Sequence, residues 1–323
     1  MFKKKTPLSK LKIGDFVDDV FVVKIKRELR AYKNGFKFVL ILSDASGQSM
    51  EYVYWGEQNR EAVKKIYDSI VEDDVVHIQA TVGTYRNKPQ LSANSGDLIA
   101  VLKEGEYDPL DFVQGPHRPI DEMLDELNFF IDSLKNPHLK KLLKHTLHNP
   151  TVLIKLKKHP SAIAIHHNRI GGFLEHTLEV AKICELFAKL FKLDRDLVIA
   201  GALLHDFGKL EEMEVTTRIK GTRQGQLVGH IVQGAISVAE AMAELETPPL
   251  IRDKVLHMII SHHGRQEFGS PKEPMFPEAV AVSIADEASA KIDEMQGFIE
   301  AVKSNTEGDF VYYKRSERNL LIK

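Results

Sequence analysis

The spacing of apolar positions changes character once along the chain, close to residue 104. Before that point the pattern is one of short β-branched and apolar runs set off by turn residues. Residues 15–26 and 36–42 are two such runs, and a turn cluster at 44–47 leads into a hairpin partner at 49–55. Residues 59–71 switch to helical spacing, with Ala62, Ile66 and Ile70 on one side. Strand-like patterning returns at 74–84, a tip falls at 85–88, and residues 89–101 run back. Residues 104–119 contain two glycines and three prolines and read as a linker. Beyond residue 121 the period is that of helices, at 121–133, 138–148, 172–191, 194–205, 227–245, 251–263 and 277–302. The chain closes on a basic, aromatic stretch, VYYKRSERNLLIK.

Five strands with a helix between the third and fourth is the order of an OB-fold. The first ninety or so residues accordingly resemble nucleic-acid-binding OB domains. The predicted architecture is a two-domain α+β chain. A five-stranded OB-fold β-barrel (1–104) and a linker (105–120) precede an all-α helical bundle (121–304) and a basic tail (305–323).

Composition narrows the setting. With 43% hydrophobic and 28% charged residues and a net charge of -2, the 323-residue chain is ordinary globular material, not a disordered or collagen-like one. No apolar run approaches the ~18–20 residues of a spanning helix, and the N-terminus lacks the apolar segment of a signal peptide. Cys184 is the single cysteine, which excludes an internal disulfide or a cysteine metal site; a reducing, cytoplasmic location away from membranes is the expectation. The near-zero net charge conceals an asymmetry. Residues 1–40 hold 11 Lys/Arg against four acids, and residues 133–174 hold seven lysines and Arg169 with no acid. These stretches suit a polyanion, or are two solvated faces balanced elsewhere.

The 14 histidines carry the chemistry. His176, His205 with Asp206, His230, His262–His263 and Asp286 each fall in a predicted helix or at a helix end, 24 to 32 residues apart. Separate helices of a bundle can bring such side chains together in its core. Imidazole and carboxylate together suit Mn, Fe, Co, Ni or Zn rather than magnesium. His176, His205, Asp206 and Asp286 suffice for one ion, and His230 and His262 add a second if Asp206 bridges. Two ions ~3.5–4 Å apart can activate water and neutralise a phosphodiester under attack.

The ordered set, with the doublet in LLHDFGK, resembles the HD-domain phosphohydrolases. The resemblance implies that Lys209 meets a substrate phosphate as a point charge, and that one histidine of the SHHG pair is a ligand. We assign His262, with His263 beside it either supporting the ligands or facing substrate. His166, His167 and Arg169, just ahead of GGFLEHT, are candidates for substrate phosphates; they read equally as helix-end residues with solvated partners.

In the N-terminal half, aromatics and bases interleave as single-strand binding requires. Lys33, Lys37, Tyr85, Arg86 and Lys88 flank turns and are the candidate contacts. Period-two alternation turns about half of the neighbouring aromatics inward. An OB domain followed by an HD domain, with GGFLEHT, LLHDFGKLEE, SHHG and ADEAS, resembles the 3′–5′ exoribonucleases of the YhaM type. That resemblance implies manganese-preferring trimming of single-stranded RNA or DNA from the 3′ end to 5′-mononucleotides, with Asp206 and Lys209 catalytic; whether the chain self-associates is left open. Two other readings stay on the table. One is a phosphohydrolase of small or cyclic nucleotides with a regulatory OB domain. The other is an RNA-binding module with a relic metal site, disfavoured because no ligand position is lost.

Overall fold

A computed structural model describes residues 1–163, 167–303, 306 and 308–323. The chain divides into two units, Met1–Gly115 with Val215–Ile219, and Pro116–Glu214 with Lys220–Lys323. The division falls inside the stretch 105–120 read as a linker. Residues 105–115 belong with the first unit, where Tyr107 forms a bridge to Phe2 and Phe112 is buried.

The first unit is built on one seven-stranded sheet. Its elements are β1 (Phe16–Lys26), β2 (Arg30–Tyr32), β3 (Gly35–Ser43), β4 (Ser49–Trp55), α1 (Arg60–Asp68), β5 (Val75–Tyr85), β6 (Lys88–Asn94) and β7 (Ile99–Val101). The expected count of five strands is thus corrected. A three-residue strand, β2, hairpins onto β3, and the run 89–101 breaks at a turn into β6 and β7. Strand β1 pairs with β3 on one side and with β5 on the other, so the path β1–β3–β4–β6–β5 returns to β1. The β4–β6 pairing is parallel. Alternation decides which side chains fill the interior. Phe38, Tyr52 and Tyr54 are buried with Phe21, Leu40 and Leu91, whereas Trp55 and Tyr85 are not. Helix α1 is capped by the Asn59 side chain, which accepts from Ala62 N, and buries Val63 on the sheet.

The second unit is helical. It contains α2 (Ile120–Ser133), α3 (Pro137–Leu147), α4 (Pro150–Leu156), α5 (Gly172–Phe191), α6 (Arg195–Leu204) and α7 (Lys209–Glu212). A small hairpin, β8 (Met213–Val215) with β9 (Ile219–Gly221), precedes α8 (Arg223–Val228), α9 (His230–Glu244), α10 (Pro249–Ser261) and α11 (Pro277–Lys303). A final hairpin pairs β10 (Phe310–Tyr313) with β11 (Arg318–Leu321). Helix starts follow their caps. Asn136, Asn149 and Asp194 each accept from the first-turn amides of α3, α4 and α6, with proline at the first helical position of α3 and α4. The single helix expected at 227–245 is instead α8 and α9, broken at Gly229, whose φ is 76°. Helices α5 and α6 form the centre; Val180, Ala181, Val198, Ala202 and their neighbours are fully buried against α10 and α11. Among the described residues no helix is long and apolar enough to cross a membrane.

Candidate metal centre

The ligand candidates enter one buried locus from five helices. His176 lies in the second turn of α5, whose start needs two glycines. Gly171 takes φ 71°, and a Cβ on Gly172 would run into the His167 carbonyl oxygen. His205 ends α6, and Asp206 follows in the turn to α7, which begins at Lys209. His230 opens α9, His262 ends α10, and Asp286 lies in α11.

Their atoms fall into two groups that share Asp206. One comprises His176, His205, Asp206 and Asp286; the other comprises Asp206, His230, His262 and His263; within each, the ligand atoms lie within 4.8 Å of one another. The two carboxylate oxygens of Asp206 face different groups. Oδ2 is 3.5 Å from His176 Nε2 and 3.4 Å from His205 Nε2, while Oδ1 is 3.3 Å from His262 Nε2 and 3.6 Å from His230 Nε2. Asp286 Oδ1 completes the first group, 3.1 Å from His176 Nε2. Ligands at ~2.0–2.1 Å from a transition ion stand about 3–4 Å apart, which is the spacing found.

The imidazoles are prepared for this role. Each gives Nδ1 to the protein and turns Nε2 inward. His205 donates to Ala202 O at 2.7 Å, His262 to Ile259 O at 2.6 Å and His263 to Phe268 O at 2.9 Å. His176 donates to Ser289 Oγ at 2.9 Å, and Ser289 in turn donates to Glu179 Oε2 at 2.7 Å. His230 is held by Glu212 Oε1 at 3.1 Å. Because carbonyl and carboxylate oxygens only accept, Nδ1 carries a proton and Nε2 is the nitrogen left for a metal. The buried Nε2 atoms of His230 and His262 make no hydrogen bond among the described residues. The Nε2 atoms of His176 and His205 face each other at 3.4 Å. Inward ring nitrogens of this kind, beside two carboxylates, fit a bound cation and little else.

Electrostatics agree. Burial opposes the charge of Asp206, yet Lys209 and His205 hold it well below the usual carboxylate range. Burial likewise opposes the charge on His205, but Asp206 and Asp286 outweigh it and raise its pKa to about 10, so a cation that His205 ligates would have to displace a proton from Nε2. Burial and the neighbouring His262 push His263 down to about 4, so it is neutral at pH 7. The Lys209 ammonium is buried 2.6 Å from Asp206 Oδ2 and lines a cleft of about 740 Å³ that opens from His262, His263 and Asp286.

Not every candidate comes to this locus. Arg169 is buried, with its guanidinium between Glu175 (2.8 Å) and Asp293 (2.9 Å). It braces the start of α5 against α11, and both carboxylates compete with a phosphate for its charge. His167 is also buried, 3.2 Å from Glu179 Oε2 and 3.6 Å from Asp293 Oδ2. His166 lies outside the described residues. In the first unit, Lys37, Tyr85 and Arg86 line a common groove of about 790 Å³ with Arg27, Arg30 and Trp55, while Lys33 and Lys88 are exposed outside that lining. The Trp55 indole N–H donates to Ser92 Oγ at 3.1 Å, and the Lys37 ammonium lies 4.4 Å over its ring.

Sequence reasoning missed Glu212, Ser289 and Glu179, which orient ligands without being ligands. Ser289 and Glu179 each lie three residues from a ligand candidate, so an acid or hydroxyl one turn away was the available signal for them; Glu212 lies inside LLHDFGKLEE but six residues beyond Asp206, and gave no such signal. Glu212→Gln is expected to weaken transition-metal affinity about 10–100-fold, read by manganese titration of the stripped protein. Unchanged affinity would mean that His230 is not a ligand.

Comparison with known proteins bears on this geometry. The HD domain family model matches residues 173–291, the segment carrying every ligand candidate. The 3′-5′ exoribonuclease YhaM of Shouchella clausii (strain KSM-K16) is 31% identical over 298 residues, covering 90% of this chain and 89% of that protein. The chain belongs to the YhaM family. The YhaM protein of Bacillus subtilis (strain 168) is 30% identical over 94% of this chain and 95% of its own length, so the likeness extends through the first unit as well as the HD segment.

Proposed function

We propose that the chain is a metal-dependent 3′–5′ exoribonuclease that shortens single-stranded RNA, and single-stranded DNA by the same route, to 5′-mononucleotides. The observation that carries this reading is the pair of His/Asp groups sharing Asp206, within a chain that follows YhaM exoribonucleases along almost its whole length. Two divalent transition ions, manganese foremost, fit the mixed nitrogen and oxygen donors. When bound, they polarise the phosphodiester and activate the attacking water. The protein supplies the rest. Asp206 and Asp286 give the locus its negative charge, and the Nδ1 hydrogen bonds keep five imidazoles correctly turned. Lys209, held by Asp206 beside the cleft, sets a fixed positive charge where the phosphorane develops charge.

The first unit's cyclic strand path supports an OB-fold reading, and its basic groove supports a role in holding the strand. Trp55 offers a stacking face, with Arg27, Arg30, Lys37 and Arg86 around it for the backbone. Trp55→Ala is expected to weaken single-stranded RNA binding by about 1–3 kcal/mol, measured by fluorescence anisotropy; no change would remove this groove from the reading. The test of substrate class is catalytic efficiency against strand length. Efficiency that rises from dinucleotide to longer RNA supports the exonuclease, whereas a maximum on mononucleotides or cyclic nucleotides supports the small-nucleotide phosphohydrolase.

A further inference from the structure

The basic, aromatic stretch at the C-terminus is a built element and not a loose tail. Strands β10 and β11 pair in register from Phe310↔Leu321 to Tyr313↔Arg318, and Leu320 and Ile322 are buried. The turn between them passes through Lys314–Ser316 and a left-handed Glu317 at φ 50°. The hairpin is fastened to α11. The ring of Tyr313 lies 4.3 Å from that of Phe298, its hydroxyl donates to Glu294, and Arg315 Nε lies 3.0 Å from the same carboxylate.

That attachment places Arg315 in the wall of the cleft leading to the metal centre. The cleft follows one face of α11, where Ser283, Asp286, Ala290 and Glu294 recur at helical spacing. Glu294 lies eight residues beyond Asp286, or about 12 Å along the axis at ~1.5 Å per residue. The Arg315 side chain is 57% exposed, and Glu294 is its one charged partner among the described residues. Its Nε is therefore tethered while its terminal nitrogens remain available, in the fork geometry that suits a phosphate.

We propose that the C-terminal hairpin forms the outer wall of the substrate cleft and that Arg315 grips a backbone phosphate of the strand, 5′ to the bond being cut. The inference rests on the exonuclease reading and adds a subsite to it. Glu294 and Tyr313 act by positioning: the carboxylate fixes the guanidinium, and the tyrosine fixes the hairpin. A strand whose terminal phosphodiester lies at Asp206 reaches Arg315 only if it extends past its last residues, so the contact is felt by oligomers and not by the shortest substrates.

The experiment uses the full chain with manganese and compares wild type, Arg315→Ala and Arg315→Lys on a dinucleotide and on single-stranded RNA of about ten nucleotides, within the span such sites cover. Arg315→Ala is expected to lose about tenfold in kcat/KM on the longer RNA, the worth of one charge-assisted contact. The loss should lie in KM and shrink sharply on the dinucleotide. Arg315→Lys should recover part of it. The salt dependence of RNA binding should become shallower by ~0.7 in log–log slope. Equal losses on both substrates, or none on either, would overturn the subsite while leaving the exonuclease reading intact. A wild-type enzyme that does not shorten RNA would overturn both.

Discussion

Asp206→Asn is expected to lower RNA hydrolysis by on the order of 10³-fold or more, a barrier increase of about 4 kcal/mol. Asp206 is the one residue common to both ligand groups, with one carboxylate oxygen facing each. The amide keeps the volume but not the charge, and its nitrogen cannot accept. One group loses its oxygen outright, the other keeps only a neutral amide oxygen, and the buried Lys209 ammonium loses its 2.6 Å charged partner. Breaking a buried pair from one side costs about 3–5 kcal/mol, so thermal unfolding should be followed in parallel. Metal analysis after stripping and reloading should find less bound metal than in wild type. If the asparagine variant does not fold, Asp286→Asn tests the same point through the first group, since Asp286 belongs to that group alone. A folded Asp206→Asn protein with wild-type metal content and wild-type hydrolysis would remove the shared carboxylate from the mechanism.

Gly208→Ala is expected to be nearly as damaging without touching a ligand. Gly208 has φ −65°, so its backbone suits any residue, and the constraint is space. A Cβ there would run into the His230 carbonyl oxygen and stand 2.6 Å from the Gly234 nitrogen. These are backbone atoms of α9, and they cannot swing aside as a side-chain tip can. The methyl group must push the first turn of α9 away from the Asp206 turn. Overpacking costs about 1–3 kcal/mol and more where backbone is involved. A displacement of ~1 Å at a catalytic constellation costs about 10²-fold in rate. Because the shift acts on His230, the second ligand group should weaken first. Manganese titration should then show one tight site retained and one lost, with a lower melting temperature. Wild-type stability and two intact sites would contradict the close packing of the Asp206 turn against α9.

The residues that gather at the candidate metal centre were readable because they sit in or next to helices whose apolar period is unmistakable, and because metal chemistry restricts the residue types. What supports the ligands was not readable. Ser289 reaches His176 across 113 positions of sequence, and Asp293 reaches Arg169 across 124. The basic stretch ahead of α5 therefore looks free on paper while Glu175 and Asp293 neutralise Arg169 in the fold. Short elements escaped for a different reason. Strands β2 and β7 have three residues each, too few to display a period. The break between α8 and α9 rests on the single residue Gly229, whose positive φ no hydrophobic pattern reveals. In the β-rich half, alternation announced that half of the aromatics would turn inward. Only the pairing of β3 with β4 and of β4 with β6 decides that Tyr52 and Tyr54 fill the interior and that Trp55 does not.

The most direct measurement is a time course on 5′-labelled single-stranded RNA with manganese, run with wild type, with wild type plus chelator, and with Asp206→Asn. Wild type with metal should produce a ladder descending from full length, one nucleotide at a time, and the other two lanes should keep the starting band. Immediate release of the labelled end, a scatter of internal cuts, or a ladder that survives both the chelator and the asparagine would contradict a metal-dependent 3′–5′ exonuclease centred on Asp206.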